Sequence, residues 1–433
     1  MSGFFDYIQL LHPSFGRYYD GCLCSSFQTI LPHKMKYTLL DTEVRHRLLP
    51  FTHTRAVADI RCGVLTMRER WENLLNDNTA TLTEDYIQPI YGVNDATDGI
   101  CINAAVFATT ELVKAIVALN AGEKLMADDV LIAFYTDKAI GYKDVAEQTA
   151  ALTTNNFDSK ISYLNNVWDI FSLNDAAINA DYDLLTEGRQ SQAVPAGVTV
   201  VGNNLFIEDG AKISVGTIIN AEAGPVYIGK DAEVLEGALI RGPLAMCEHS
   251  VLKMGAKIYG ATTIGPGCKV GGEINNVVFF ANSNKAHDGY LGNAVIGEWC
   301  NLGADTNCSN LKNNYEEVKI WSEHLNKSIK TGLTFCGLLM GDHSKCAINT
   351  SFNTGTVVGV SCNIYGSGFP EKFVPSFVWG GSEGMVTYKF ERAMDTANRM
   401  MGRRSKQLSE AETEMYRHIF EQSQHSRELF AHV

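Results

Sequence analysis

The sequence contains no run approaching eighteen apolar residues, no C-x-x-C pair and no surplus of basic side chains. Without the first, no helix is available to span a bilayer. Without the second, the commonest zinc spacing is missing, and the eleven cysteines are odd in number and scattered. They read as small, reduced core residues of a cytoplasmic protein. The formal net charge of −13 argues against a nucleic-acid or membrane-surface partner, either of which selects a basic face. It leaves room for phosphate substrates, because a few local Lys and Arg residues suffice to make a positive pocket. The first residues also lack the cationic start and apolar core of a signal peptide: Asp6 interrupts them and no cleavage site follows. Residues 1–34 are aromatic-rich and without steady period, and read as an extension with little structural role. Met35-Lys36-Tyr37-Thr38-Leu39-Leu40 reads as a strand opening the first domain.

What the chain has in abundance is a six-residue period. Val201, Ile207, Ile213 and Ile219 share it, as do Ile228, Val234 and Ile240, and then Leu252, Ile258, Ile264 and Val270. After an interruption it resumes at Ile296 and Leu302, and again through Met340, Cys346, Phe352, Val358 and Ile364. The fourth residue after the aliphatic is often small, as at Ala211, Thr217, Ala232, Ala238, Thr262, Cys268 and Thr306. A period of six fits neither a 3.6-residue helix nor an alternating strand. One large and one small inward side chain per hexad describe a short strand and a tight turn. Three such faces close a coil of roughly 18 residues, and stacked coils lie about 4.8 Å apart. The spacing predicts a left-handed parallel β-helix over residues 196–380. Its stacked Ile, Val and Leu columns contribute ~1.5–3 kcal/mol per buried side chain.

Residues 35–190 read as an α/β domain. Helices are expected at Gly63–Trp71 and Glu111–Leu119, the second stopped by Gly122, and a buried strand at Val130–Tyr135. Gln190–Gly197, with Pro195, reads as the linker. After Trp379-Gly380-Gly381 the period turns helical through Tyr388, Met394, Ala397, Met400 and Met401. Ser409-Glu410-Ala411-Glu412 has the form of a capping box, so residues 383–433 are expected to be helices.

Chemistry is best placed at Asn284-Lys285-Ala286-His287-Asp288-Gly289-Tyr290-Leu291-Gly292, a polar, Gly-containing break in the rigid repeat. A histidine there has the right unperturbed pKa for general-base work at neutral pH. A lone histidine is nevertheless more often structural or merely exposed. The next coil, Asn301 to Asn310, is dense in amides able to orient a polar substrate.

His287 followed by Tyr290-Leu291-Gly292 and Ile296-Gly297, and then Asn301, Gly303, Ala304, Thr306 and Asn310, resemble a family's acetyltransferase motifs. It is the bifunctional N-acetylglucosamine-1-phosphate uridylyltransferase/glucosamine-1-phosphate acetyltransferase family, in its divergent bacterial branch. The resemblance spans about residues 36–380. It implies His287 as general base, Asn310 and Tyr290 at the sugar, and Lys253 or Lys285 at its phosphate, with Leu311 replacing the family's second tyrosine. It also implies acetyl-CoA as donor and a homotrimer. Before the repeat, Arg47-Leu48-Leu49-Pro50-Phe51-Thr52, Thr54-Arg55 and Asp59-Ile60-Arg61 resemble the nucleotidyltransferase half. Arg47, Arg55, Arg61 and Asn103 are therefore implied nucleotide or phosphate ligands, though ordinary ion pairs account for the arginines equally well. The family's Gly-rich loop is replaced by Leu40–His46, without glycine, and its Mg²⁺-holding Asp by Ala105, leaving Asp169 as a possible metal ligand.

The expectation is acetyl transfer from acetyl-CoA to an amino-sugar phosphate, with Mg²⁺ only if nucleotidyl transfer also occurs. The alternatives are a sugar-1-phosphate nucleotidyltransferase using the β-helix as an oligomerisation rod, and a pair of ligand-sensing relics.

Overall fold

Aliphatic side chains at every sixth position need a dry surface to stack on, and a parallel solenoid provides one by laying each coil on its predecessor. The computed structural model describes residues 35–92 and 99–430. The extension 1–34 lies outside the described residues. Short strands from 199 to 381 form a parallel β-solenoid in which Ile219, Ile240, Ile258, Ile274 and Leu291 pair in turn up one face. Ile207, Ile228, Met246, Ile264, Phe279, Ile296, Met340, Val358 and Val374 rise along a second. Ile213, Val234, Leu252, Val270 and Lys285 rise along a third. These inward residues are buried almost without exception.

Two details differ from the spacing read in the sequence. Met246, between Ile240 and Leu252, joins two runs into one unbroken register from Ile228 to Val270. In the first coil it is Val200, not Val201, that stacks on Ile219, and Val201 faces solvent. Successive residues of a strand point to opposite faces, so a slip of one at the end of a repeat exchanges inside for outside.

The N-terminal domain is a six-stranded sheet. Its strands are β1 (Lys36–Leu40), β2 (Thr79–Leu82), β3 (Gly99–Asn103), β4 (Glu123–Ala127), β5 (Val130–Thr136) and β6 (Thr153–Asn156), in the order β2-β1-β3-β5-β4-β6. β1, β2 and β3 run parallel, whereas β5 is antiparallel to both β3 and β4. The first expected helix begins later than its sequence suggests, at Met67–Leu75. Thr66 caps it with Glu69 in a reciprocal capping box. Gly63 instead sits at φ +94° against Asp181, a position no β-carbon fits. The second helix is Thr110–Val117, capped by Thr109.

Side chains from far apart in sequence join these parts. Asn174 Oδ1 accepts from Gly63 N at 2.7 Å, and Asn174 Nδ2 donates to the Ala261 carbonyl at 2.8 Å. Arg55 reaches the solenoid as a fork on Asp342, at 3.2 and 2.6 Å. At the C-terminus the helices Phe390–Gly402 and Glu410–Gln422 bury Met394, Met415 and Ile419 in one cluster with Val360 and Phe377 of the solenoid and Ile87 of the first domain. Ser409 and Glu412 form the expected capping box. The described residues from Lys36 to Phe430 thus belong to one compact unit.

Candidate active site

The repeat shortens where the candidate site begins. Leu252 and Val270 are partners eighteen residues apart, but the next partner, Lys285, comes after only fifteen. The polar turn His287-Asp288-Gly289 follows at once, with His287 and Asp288 exposed. Gly272, at φ +78°, lies directly under it, and a β-carbon there would come within 2.9 Å of the His287 carbonyl. From above, Thr306 lies so close to Gly289 that a β-carbon on Gly289 would strike its carbonyl. The turn is held between two coils while the imidazole remains open to solvent.

Beyond the turn, side-chain amides converge. Asn310 Nδ2 donates to Tyr290 Oη at 3.0 Å and to Asn293 Oδ1 at 2.7 Å. Tyr290 N donates to Asn307 Oδ1 at 2.8 Å. Burial raises the Tyr290 phenol above its ordinary pKa, with Asn275 and Asn310 as opposing hydrogen-bond partners. Gly292 has no alternative here, because a β-carbon would sit 2.7 Å from Asn310 Nδ2. With the Asn276 amide oriented toward its partners, Asn293 Nδ2 donates to it at 3.0 Å, and Asn276 in turn donates to the Phe171 and Ala261 carbonyls. The amide row therefore runs from the Tyr290–Asn310 pair to the first domain, beside a cleft of about 390 Å³ lined by Phe171, Ser172, Asp175, Asn275, Asn293 and Phe335. Of these, Asn275 and Asn293 carry no motif spacing. The sequence signal for Asn293 is that asparagine tolerates the left-handed backbone of a corner, which it adopts at φ +46°, whereas Asn275 lies within a strand and carries no such signal.

The structure separates the two candidate phosphate lysines. Lys253 is half-buried and stacks beneath Gly271, which itself lies beneath Ala286 of the His287 loop. It belongs to this edge of the solenoid. Lys285 lies in the inward column of the solenoid. It is fully buried, and Nζ donates to the His287 and Asp288 carbonyls at 2.6 and 2.8 Å. Burial pushes its ammonium down to about 8.

The implied nucleotide ligands are mostly occupied elsewhere. In open α/β sheets ligands bind beyond the carboxyl ends of the parallel strands. Here the residues after β1 form a short 3₁₀ helix, Glu43–Leu48. Asp41 is fully buried and takes Arg45 Nε at 3.1 Å, Val57 N at 2.8 Å and Thr83 Oγ1 at 2.6 Å. Burial raises its carboxyl to about 6. Arg45 also pairs with Glu84 at 2.9 Å. Arg55 is committed to Asp342 and, at 3.4 Å, to Glu298. Buried Arg61 donates to the Val64 carbonyl and pairs with Glu69 at 3.3 Å. Asn103 closes its own turn, accepting from Ala105 N and donating to the Leu131 carbonyl. Arg47 alone is exposed. Asp169, the candidate metal ligand, accepts from Asn165 N and Asn166 N at 2.9 and 2.7 Å, and so closes the turn that leads into the helix Asp169–Ser172. Among the described residues no three His, Cys, Asp or Glu side chains are grouped to hold a metal. Neither the Gly-rich loop's missing glycine nor Asp342, 287 residues from Arg55, could have been paired with these arginines from sequence spacing.

Residues 37–190 match the sugar nucleotidyl transferase family model. The nucleotidyl transferase-type domain therefore occupies the part of the chain before the solenoid. Among curated proteins, the bifunctional protein GlmU of Trichormus variabilis is 28% identical over 38% of this chain and 40% of its own length. The bifunctional sugar-1-phosphate nucleotidylyltransferase/acetyltransferase of Sulfurisphaera tokodaii is 28% identical over 37% of each. An Escherichia coli protein described as the uncharacterized acetyltransferase YaiX is 25% identical over 39% of this chain and 74% of its own. The chain thus spans about two fifths of the length of the first two relatives. Among solved structures, the Arabidopsis UDP-N-acetylglucosamine acyltransferase aligns with 55% of this chain and 91% of its own, at 15% identity and a TM-score of 0.23.

Proposed function

We propose that the chain transfers an acetyl group from acetyl-CoA to the amine of an amino-sugar phosphate of the glucosamine-1-phosphate type, and that the reaction is run on the solenoid. The observation that carries this reading is an exposed imidazole, His287, on a turn fixed between two coils and followed at once by the Tyr290–Asn310 pair. The amine nitrogen bonds to the thioester carbonyl carbon, its proton passes to the His287 ring, and the C–S bond breaks as the imidazolium returns that proton to the sulfur, releasing the CoA thiol. Both Asn310 Nδ2 hydrogens are spent on Tyr290 and Asn293, so its side-chain carbonyl is the atom offered to the sugar. Lys253 pairs with the phosphate. In this reading the enzyme works as a homotrimer in the cytoplasm.

Nucleotidyl transfer by the first domain is weak or absent. The residues that would hold Mg²⁺ do not fit it: Ala105 is apolar, and Asn103 and Asp169 are consumed by backbone partners.

The test is mass spectrometry of products from two separate incubations: acetyl-CoA with glucosamine-1-phosphate, and UTP or dTTP with a sugar-1-phosphate and Mg²⁺. N-acetylated sugar phosphate is expected in the first, and His287→Ala should lower its rate by ~10²–10⁴-fold without altering the melting temperature. Robust pyrophosphate release in the second, with no acetyl transfer to any amino sugar, reverses the assignment and makes the solenoid an oligomerisation rod.

A further inference from the structure

One inward column of the solenoid changes character at a single position. Ile213, Val234, Leu252 and Val270 stack in order, and the next residue in the column is Lys285. Leu302 then resumes the aliphatic series and passes it to Cys346 and Ile364. Lys285 has no solvent exposure at all. An aliphatic side chain would fill this column at no electrostatic cost, whereas a buried ammonium must recover its lost hydration from protein acceptors. Its acceptors are the carbonyls of His287 and Asp288. Those two carbonyls belong to the turn that the shortened coil forces between Gly272 and Gly289–Thr306. The turn is therefore gripped from below, from above and from inside, and the inside grip is made by a charged side chain.

We infer that Lys285 is a positioning residue for His287: its interior ammonium fixes the peptide groups that carry the imidazole, and it never touches the substrate phosphate. The inference rests on His287 as the base of the proposed acetyl transfer. A lysine fits this task because its extended stem occupies an aliphatic site while its head supplies several donors to adjacent carbonyls. The cation also draws both carbonyls inward, leaving the exposed face of the turn to the imidazole.

The experiment uses the full chain as wild type, Lys285→Met, Lys285→Leu, His287→Ala and the Lys285→Met/His287→Ala pair. Three quantities are measured: kcat and KM for acetyl transfer to glucosamine-1-phosphate, amide hydrogen exchange across residues 284–292, and thermal midpoint. Removing the ammonium should lower kcat by about 10–100-fold with KM changed by less than about twofold, as misplacement of a catalytic group does. Exchange at residues 286–289 should quicken at least about tenfold, with the midpoint held or raised. The double variant should be no slower than His287→Ala alone, because both changes disable one device. A wild-type kcat with unchanged exchange overturns the inference. A raised KM for the sugar phosphate at constant kcat also overturns it, by placing Lys285 on the substrate. If wild type transfers no acetyl group, or His287→Ala matches wild type, the functional reading has failed. Exchange in Lys285→Met then still decides whether the lysine holds the turn. Should Lys285→Met fold poorly, Lys285→Leu, closer to the column's own residues, carries the same comparison.

Discussion

An imidazole acts as a base only when its approach to the proton is reproducible, and the groups behind it decide that. At the residue scale Asn310 is held by Tyr290 and Asn293, and in the proposed reaction it orients the sugar while His287 takes the proton. Asn310→Ala should raise KM for the amino sugar more than it lowers kcat, and remove a hydrogen-bond donor from the Tyr290 phenol, measurable as a tyrosine absorbance titration shifted further above its ordinary range. The buried titratable groups also give the protein an alkaline signature whose sign follows from linkage. Lys285 falls from 10.5 to about 8 on folding, so between those values the unfolded chain holds the extra proton and this lysine's contribution to stability rises with pH. The window is worth on the order of 3 kcal/mol. The buried cysteines act oppositely. Cys62, Cys268 and Cys362 are pushed by burial from 9.0 to about 12, so their stabilisation is present below pH 9 and lost as unfolded thiols ionise above it. Net stability should therefore fall above about pH 9. Denaturant melts of wild type and Lys285→Met should differ by an amount that grows in favour of wild type from pH 8 to 10. A pH-independent difference would refute the lysine term.

At the scale of elements, the solenoid's corners matter more than its strands. The columns tolerate exchange among Ile, Val, Leu and Met, as the chain itself demonstrates at Met246. Corners beneath a functional turn do not. Gly272 at φ +78° meets the His287, Asp288 and Gly289 backbone within about 3 Å of any β-carbon. Gly272→Val should cost about 1–3 kcal/mol by denaturant melting, through left-handed strain, and should depress acetyl transfer more than Gly255→Val. Gly255 has the same backbone sign, at φ +69°, but open space around it. Equal effects of the two substitutions would mean that strain alone, and not contact with the His287 turn, sets the outcome.

Across the whole molecule, the domain that matches the sugar nucleotidyl transferase family is fastened to the solenoid by groups that include arginines the resemblance implies as phosphate ligands. Arg55 is the clearest: its guanidinium lies on Asp342 and Glu298 and over the Phe280 ring. Removing one partner of a buried pair leaves the other charged and unpaired, at ~3–5 kcal/mol. Asp342→Ala should therefore lower the melting temperature and split the single calorimetric transition expected of one compact unit into two. A single unsplit transition at the wild-type temperature would show that the pair contributes little to holding the domains together. Acetyl transfer should survive the substitution below the first transition, since the His287 turn makes no contact with this pair.

The solenoid was legible in the sequence because its periodicity is a local constraint: each hexad must supply one large and one small inward residue whatever its neighbours do. The break at Asn284–Gly292 was legible for the same reason, as was the helix capped by Ser409 and Glu412. The Gly63–Trp71 helix was misplaced at its start because Gly63 answers to Asn174 and Asp181, more than a hundred residues away. The fates of the charged residues belonged to tertiary structure alone. A lysine in a polar loop reads the same whether it faces substrate or core, and only the fifteen-residue coil turns Lys285 inward. An arginine beside a nucleotidyltransferase-like motif reads equally as a phosphate ligand or as half of an ion pair, and only the fold brings Asp342 from the solenoid to Arg55. Hydrophobic spacing is written along the chain, whereas the partner of a charge is set by where distant segments meet.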